Sequence, residues 1–418
     1  MPSFASTAMA ASVIGLAAAG TVPVEARAKV AFTVNQVPAG KVLKPAGPVA
    51  MLNTYNKFKK PAPVELVKAA SSVSASTAAK AKAAATSTTP MSGSVTATPE
   101  SWDESYLCPV VVGGKTLNLD FDTGSSDLWV YSSLQPASQQ SGHNIYNPTT
   151  DGTASVMSGS SWSITYGDGS GASGAVYADK VQVGAVTATA QAVEAATSVS
   201  SSFLSDTASD GLLGLAFSTI NQISPKQQNT FFDTVKANLT SKLFTAKLKK
   251  GAPGSYDFGF IDSTKYTGPI TYTPVNTRNG FWEFTAGGYQ VGSNMASFTN
   301  IGDSIADTGT TLLYLPASLV SAYYSKVKGA SSSSAWGGYI FPCSATLPNL
   351  NINIGGTYFT IPGSYLNYAP ISSTTCFGGL QSNTGIGFSI FGDIFLKSVF
   401  AVFDQTQSSP RLGFAKQT

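Results

Sequence analysis

One short motif occurs twice in this chain. Asp122-Thr123-Gly124 and Asp307-Thr308-Gly309 are the same tripeptide, and each is followed by two hydroxyl residues and then by apolar residues. At average residue usage, a chance copy is expected in roughly one chain in ten of this length. Two copies in matching surroundings indicate a duplicated half-site. If the two half-sites face each other, they bring two carboxylates together, so the sequence predicts acid–base chemistry.

The repeat extends beyond the two tripeptides. Two apolar residues and a glycine follow each copy, as Leu212-Leu213-Gly214 after the first and Ile390-Phe391-Gly392 after the second, at spacings of 92 and 85 residues. Matching elements in matching order predict two homologous lobes, with a junction near residues 262–270.

The composition favours strands over helices. Only 11% of residues are charged, and 40 are glycine. Leu117, Leu119 and Phe121 alternate with polar residues, which predicts a half-buried strand that ends at Asp122. Helical patches are few, and the best candidates are residues 230–239 and 317–327. We therefore expect an all-β fold.

The N-terminal quarter differs in charge from the rest. Residues 1–99 carry ten Lys and Arg against two Asp and Glu, a net charge of +8, whereas residues 100–418 carry −5. The basic residues are spread out rather than clustered, so we expect no nucleic-acid partner. An inhibitory pro-segment over an acidic body, loosened by acid, is the favoured interpretation, and a loosely structured spacer is the alternative.

The chain begins with a segment typical of secretion. Residues 8–20 form an apolar run that is too short to span a bilayer, and cleavage near residue 20 or residue 28 would fit a secretory signal. We expect a secreted, extracellular protein without a membrane anchor. The predicted units are a signal peptide at 1–28, a pro-segment and cleavable connector at 29–90, an N-terminal lobe at 91–266 and a C-terminal lobe at 267–418. Within them, residues 69–98 are rich in Ala, Ser, Thr and Lys and predict a flexible connector.

Two carboxyl groups about 3 Å apart cannot both ionise easily, so they share a proton. One can then take a proton from water while the other polarises a scissile carbonyl, and no metal or cofactor is required. The glycines let the loops approach closely. The threonines can tie the loops together, and the next hydroxyls can hydrogen-bond the carboxylates. These supporting residues are Thr123, Gly124, Ser125, Thr308, Gly309 and Thr310.

From about residue 100 to its end, the chain resembles a pepsin-family aspartic endopeptidase of the secreted fungal type. The resemblance rests on DFDTGSSDLWV, YGDGS, DGLLGLAF, ADTGTTLLYLP and IFGDIFLKS. It implies a bilobal fold with a cleft and a β-hairpin flap. It also implies an acid endopeptidase, made as a pre-pro-enzyme, that cleaves protein or peptide substrates beside bulky apolar residues and in some cases Lys. We expect a monomer inhibited by its own pro-segment.

The resemblance assigns roles residue by residue. Asp122 and Asp307 would be the catalytic dyad, and Lys57 would be the pro-segment lysine that blocks it. The residues expected at the flap and substrate pocket are Tyr166 with its supporting Trp129, Gly167, Asp168 and Ser170, which bind substrate backbone, and Phe203 and Leu212, which line an apolar pocket.

The cysteines and the single histidine indicate which disulfides and which kinds of active site the chain can form. Cys343 and Cys376 would pair in a secreted chain, matching the family's disulfide, and Cys108 is expected to be a buried thiol. Asn238 begins the only acceptor motif for N-glycosylation. His143 is the only histidine, which argues against metal sites and Ser-His triads.

Two other functions compete with an acid endopeptidase. A catalytically inactive pepsin-fold peptide-binding protein would share the fold, although the dyad and flap tyrosine are intact. A glycosidase also uses paired carboxylates, but they lie at least about 5 Å apart. The neighbouring Asp120, Asp127 and Asp393 are expected to be structural carboxylates bonded to the backbone.

Overall fold

A computed structural model describes residues 32–35, 47–72, 103, 106–150, 153–165, 171–201, 203–292 and 300–418. The predicted signal peptide and most of the predicted connector lie outside these residues. The described chain is dominated by strands, which confirms the expected β-rich class.

Helices are short. They are α1 (Gly47–Lys57), α2 (64–72), α3 (Phe231–Val235), α4 (Ala317–Tyr324), α5 (Gly363–Leu366) and α6 (Asp393–Leu396). Both predicted helical patches contain a helix, α3 followed by a 3-10 turn in the first and α4 in the second. The prediction that a flexible connector begins at residue 69 was wrong, because α2 continues to residue 72 and buries Ala69 and Ala70.

The strands of the described N-terminal part are β1 (Phe32–Asn35), β2 (Leu107–Val112), β3 (Lys115–Asp122), β4 (Leu128–Val130), β5 (Ser155–Thr165), β6 (Gly171–Val183), β7 (Val186–Val199), β8 (Gly211–Gly214), β9 (Ile223–Ser224), β10 (Leu243–Lys249) and β11 (Ala252–Phe258). Those that follow are β12 (Tyr266–Pro274), β13 (Glu283–Ala286), β14 (Tyr289–Val291), β15 (Gly302–Ala306), β16 (Leu313–Leu315), β17 (Ser331–Ser333), β18 (Gly338–Pro342), β19 (Leu350–Ile354), β20 (Thr357–Ile361), β21 (Asn367–Pro370), β22 (Thr375–Gly378), β23 (Leu380–Ser382), β24 (Ser389–Phe391), β25 (Val399–Asp404) and β26 (Arg411–Gln417).

The two halves build separate sheets. The first half forms an eight-stranded sheet in the order β2-β3-β8-β4-β7-β6-β5-β9. The second half forms sheets of five strands (β13-β15-β24-β16-β23), four strands (β17-β18-β22-β21) and three strands (β14-β19-β20). The boundary predicted at residue 266 falls at the start of β12.

The sequence repeat has a structural counterpart in both halves. In the first half, β3 runs parallel to β8 while β4 runs antiparallel to it. In the second half, β15 and β16 have the same two relations to β24. Leu117, Leu119 and Phe121 are fully buried, as the alternating pattern predicted. Each Asp-Thr-Gly loop therefore follows a central strand of its own sheet.

A fifth sheet joins the two halves. The six-stranded sheet runs β1-β11-β10-β25-β26-β12 and contains strands from both halves. Its edge strand β1 belongs to the predicted pro-segment and pairs antiparallel with β11. Aromatic rings pack on this sheet, with Phe244 stacked on Phe403 at 4.6 Å and Trp282 edge-on to Phe403 at 5.2 Å.

Cys343 and Cys376 form the predicted disulfide, and Cys108 is a fully buried free thiol, as expected. The disulfide links two residues that are 33 positions apart. In the chain-entropy model, closing a loop of this length stabilises the folded state by about 3–4 kcal/mol.

Replacing both cysteines with alanine (C343A/C376A) should therefore lower the free energy of unfolding by about 3 kcal/mol, because the unfolded chain gains conformational freedom. Urea unfolding followed by circular dichroism measures this loss. A reducing agent should lower the wild-type midpoint to that of the variant and leave the variant unchanged. A variant as stable as the oxidised wild type would contradict the argument.

Candidate active site

The two Asp-Thr-Gly loops meet at the centre of the molecule. Asp122 is the last residue of β3, and Asp307 directly follows β15. Both side chains are fully buried. One nitrogen atom, Lys57 Nζ, lies within 2.8 Å of an oxygen of each carboxyl group. Residues that are distant in sequence thus form one paired acidic site.

Reciprocal hydrogen bonds hold the loops together. The Thr123 hydroxyl donates to the carbonyl of Ala306 at 2.9 Å, and the Thr308 hydroxyl donates to the carbonyl of Phe121 at 2.5 Å. Each threonine amide also donates to the other threonine's hydroxyl oxygen, at 3.0 Å in both directions. This two-fold pattern fixes the distance between the strands that carry the acids.

Each carboxylate accepts the same two hydrogen bonds from its own loop. The Ser125 hydroxyl donates to Asp122 Oδ2 and the Thr310 hydroxyl donates to Asp307 Oδ2, both at 2.6 Å. The amides two residues after each acid donate to Oδ1 of Asp122 and Asp307, at 2.8 and 3.0 Å respectively. These four donors orient both carboxyl groups toward one another.

Gly124 and Gly309 leave room for the opposite acid. A Cβ on Gly124 would lie 2.4 Å from Asp307 Oδ1, and a Cβ on Gly309 would lie 2.4 Å from the Asp122 carboxyl carbon. Real Cβ atoms do not approach other heavy atoms this closely. The motif therefore requires glycine because of the space that the partner carboxylate occupies.

Lys57, the last residue of α1, reaches both acids. Its Nζ lies 2.7 Å from Asp122 Oδ1 and 2.8 Å from Asp307 Oδ1, with a further contact of 3.0 Å to Asp307 Oδ2. The lysine side chain is only 15% exposed. A single ammonium thus occupies the space between the two carboxyl groups.

The electrostatics of this trio follow from burial and charge. Burial would lower the pKa of Lys57, but the charges of Asp122 and Asp307 outweigh it and raise that pKa. Burial would raise the pKa of Asp122, but Lys57 and the Ser125 hydroxyl lower it below its ordinary value. Burial raises the pKa of Asp307 to about 6. The charge of Lys57 lowers this pKa, and the charge of Asp122 raises it.

Three of the predicted pocket residues lie together. Trp129, in β4, packs against Phe203 with ring centroids 5.5 Å apart, and Leu212 packs against the same apolar cluster. Trp129 Nε1 is buried and has no hydrogen-bond partner among the described residues. Four predicted flap residues, Tyr166, Gly167, Asp168 and Ser170, lie outside the described residues, between the paired ends of β5 and β6.

Sequence reasoning missed the neighbours of Lys57. Phe58 packs edge-on against Phe281 and Phe388, with centroids 5.7 and 5.2 Å away. The Tyr55 hydroxyl donates to the carbonyl of Thr384 at 2.6 Å. The sequence shows aromatic residues on both sides of this lysine, in a segment otherwise rich in Ala, Pro and Lys, but it does not show what those residues pack against.

The expectation for the three neighbouring acids was partly wrong. Asp127 does accept a backbone hydrogen bond, from Gln222 N at 2.7 Å. However, both carboxyl oxygens of Asp393 and Asp120 Oδ1 are buried and have no partner among the described residues. Burial, followed by the charge of Asp122, raises the pKa of Asp120, and burial, followed by the charge of Asp120, raises the pKa of Asp393. In the described part of the chain, no group of His, Cys, Asp and Glu side chains is arranged to hold a metal ion.

Comparisons with known proteins place this site in a family. A sequence profile described as eukaryotic aspartyl protease matches residues 105–417. Penicillopepsin-3 from Penicillium janthinellum is 53% identical over 410 residues, which cover 97% of each chain. Endothiapepsin from Cryphonectria parasitica is 54% identical over 376 residues, covering 89% of this chain and 87% of that one. The solved aspartic proteinase from Irpex lacteus matches with a TM-score of 0.62 and 25% identity, covering 75% of this chain and 95% of that one.

Two β-rich lobes with paired aspartates define an aspartic protease. The chain belongs to the eukaryotic aspartyl protease family. More particularly, it is an aspartic-type endopeptidase of the fungal pepsin type, which confirms the resemblance, the bilobal fold and the enzyme class expected from the sequence.

Replacing Gly309 with alanine should reduce kcat by at least about 100-fold, because the methyl group would displace the Asp122 carboxyl from its partner. Peptide hydrolysis at acid pH measures the effect, and Gly124→Ala should behave alike. Gly287→Ala is the matched control, since its Cβ would meet nothing nearer than 3.3 Å. If Gly309→Ala were as active as the control Gly287→Ala, the steric argument would be contradicted.

Proposed function

We propose that this protein is a secreted acid endopeptidase that hydrolyses peptide bonds with a water molecule activated between Asp122 and Asp307. The observation that carries the proposal is the bridging of both carboxyl groups by Lys57 at 2.7 and 2.8 Å. A space that holds one ammonium between two acids can also hold one water. A glycosidase needs carboxyl groups that are far enough apart to flank a sugar ring, whereas here one ammonium group contacts both acids.

The mechanism follows from one shared proton. The ionised aspartate removes a proton from water, and the oxygen attacks the scissile carbonyl carbon. The protonated aspartate gives its proton to the carbonyl oxygen. The aspartate that took the water proton then passes it to the amide nitrogen, the other aspartate takes a proton from a hydroxyl group of the tetrahedral intermediate, and the C–N bond breaks to give an acid and an amine. Ser125 and Thr310 keep the outer oxygens in place during both steps.

Substrate choice depends on apolar surfaces beside the dyad. The cluster of Trp129, Phe203 and Leu212 supports a preference for bulky apolar side chains at the scissile bond. On the resemblance, Tyr166 closes over the substrate with Trp129 supporting its hydroxyl, while Asp168 and Ser170 bind the substrate backbone and Asp168 helps to accept Lys. Intact dyad contacts argue against an inactive binding protein.

The basic segment acts as the enzyme's own inhibitor. Lys57 occupies the position of the attacking water, and Phe58 fills the apolar space between Phe281 and Phe388. The signal peptide directs the protein out of the cell. Acid then leads to removal of the pro-segment, and the enzyme is active as a monomer. Asn238 is exposed at the end of a 3-10 turn and carries an N-glycan. None of the helices in the described part of the chain is long and apolar enough to cross a membrane.

Asp122→Asn and Asp307→Asn should each abolish cleavage without unfolding the protein, because the shared-proton pair is lost. Casein or haemoglobin digestion at pH 3–4, with and without pepstatin, tests this, and circular dichroism controls for folding. Activity of the wild type should fall above about pH 6, as both carboxyl groups ionise. Residual activity above a few per cent in either variant, or an optimum near pH 8, would count against the mechanism.

Lys57→Met should make the full chain active at a higher pH than the wild-type full chain. In the wild type, the ion pair requires an ionised dyad. It weakens as pH falls through the pKa of Asp307, about 6, and is lost below the lowered pKa of Asp122. Without the ammonium, pro-segment docking should weaken by on the order of 3 kcal/mol at neutral pH.

Peptide hydrolysis by the unprocessed chain at about pH 5.5, where the free dyad keeps its shared proton, measures this release. Lys60→Met is the matched control, because the Lys60 ammonium forms no ion pair among the described residues. If both variants stayed as inactive as the wild type at that pH, Lys57 would not be the inhibitory contact.

A further inference from the structure

A second pair of buried carboxyl groups lies behind the first catalytic loop. Asp127 is five residues after Asp122, and Glu194 lies in β7, where it pairs with Trp129 of β4. Asp127 is 4% exposed and Glu194 is fully buried. The proposed mechanism uses neither side chain.

The two acids share one hydrogen-bond donor. The Asn221 amide donates to Asp127 Oδ1 at 2.8 Å and to Glu194 Oε1 at 3.0 Å. Glu194 Oε2 is buried and accepts no hydrogen bond among the described residues. Two buried carboxyl groups held on one amide nitrogen repel each other when both are ionised, and one shared proton removes that repulsion.

The surroundings favour retention of that proton. Burial, then the charge of Asp127 and the hydrogen bond to it, raise the pKa of Glu194 well above its ordinary value. Burial also raises the pKa of Asp127, which Asp122 raises further and Lys59 lowers. Among the described residues, no lysine, arginine or histidine forms an ion pair with either acid. The nearby cation, Lys59, belongs to the pro-segment and bonds Gln222 at 3.3 Å.

The pair is connected to the catalytic loop through short contacts. The Asp127 carbonyl accepts a hydrogen bond from Gly214 N at 2.9 Å, and the next amide, Leu215 N, donates to the carbonyl of Asp122 at 2.7 Å. Asn221 also donates to the carbonyl of Ser126 at 3.2 Å. Movement of Asp127 away from Glu194 would therefore shift the segment that holds Asp122.

We propose that Asp127 and Glu194 are positioning residues that share one proton, hold the Asp122 loop in place, and set the upper pH limit of the folded enzyme by losing that proton. Above this limit two adjacent buried carboxylates repel each other without a cation, and the N-terminal lobe opens.

The direction of the pH effect follows from linkage. In the unfolded chain both acids titrate near their ordinary values, whereas the folded chain retains a proton to higher pH. Stability is therefore full at acid pH and decreases as pH rises through the window between the unfolded and folded pKa values of Glu194. In that window, each pH unit lowers the folded-to-unfolded ratio about tenfold for one retained proton.

Glu194→Gln tests the proposal, because an amide can donate to Asp127 and cannot ionise. The full chain and the acid-processed enzyme are incubated from pH 4 to pH 10. Unfolding is followed by tryptophan fluorescence, and activity is measured after return to acid and normalised to each variant's own value at pH 4. We expect the unfolding midpoint of Glu194→Gln to rise by at least about one pH unit. The fluorescence result does not depend on proteolysis, so a failed protease assignment would be recognised separately.

Glu283→Gln is the matched control. Glu283 is also buried, but it accepts hydrogen bonds from Asn276 and Asn279 and lies in the other lobe, so its replacement should not raise the midpoint. If Glu194→Gln does not fold, Asp127→Asn tests the same pair, since its amide can donate to Glu194 and its oxygen can still accept from Gln222. A midpoint within about 0.3 pH unit of the wild type in the folded variant, or an equal rise in Glu283→Gln, overturns the proposal.

Discussion

Two carboxyl groups that face each other in a fully buried site are the constraint on which the rest of this structure depends. Removing a charged carboxyl from water costs several kcal/mol unless hydrogen bonds and a counter-charge offset it. The loops supply the hydrogen bonds, because each loop gives its own acid one backbone amide and one side-chain hydroxyl. The threonine contacts between Thr123 and Thr308 then fix the separation of the loops. The separation of the two Asp-Thr-Gly loops also depends on the two glycines, on the strands that carry the acids and on the six-stranded sheet that joins the halves.

The counter-charge comes from a part of the chain that is proposed to be temporary. α1 places Lys57 against both acids, while β1 adds an edge strand to the sheet that joins the halves. The proposed pro-segment thus contributes both the cation that stabilises an ionised dyad and a strand paired with the sheet that joins the halves. Since acid discharges the dyad, the same contact is strong near neutral pH and weak where the enzyme is proposed to work.

The sequence predicted the centre of the site better than its surroundings. Repetition located Asp122 and Asp307, and the alternation of Leu117, Leu119 and Phe121 predicted the strand that carries the first acid. The packing of Phe58 between Phe281 and Phe388 joins segments whose approach depends on the complete fold, so local pattern could not predict it. Glu194 was missed for a related reason: β7 is buried along most of its length, and one acid within a strand gives no sign of a carboxyl partner on another loop.

The two acid pairs limit the pH range in which the protein is both folded and active. The dyad must gain a proton to release Lys57 and begin catalysis, so activity requires low pH. Asp127 and Glu194 must keep a proton to remain in contact, so their pairing limits high pH. Because Asp127 and Asp122 belong to one loop, the second pair acts on the first through the backbone. The acid that discharges the dyad therefore also keeps the proton on the pair that supports the Asp122 loop.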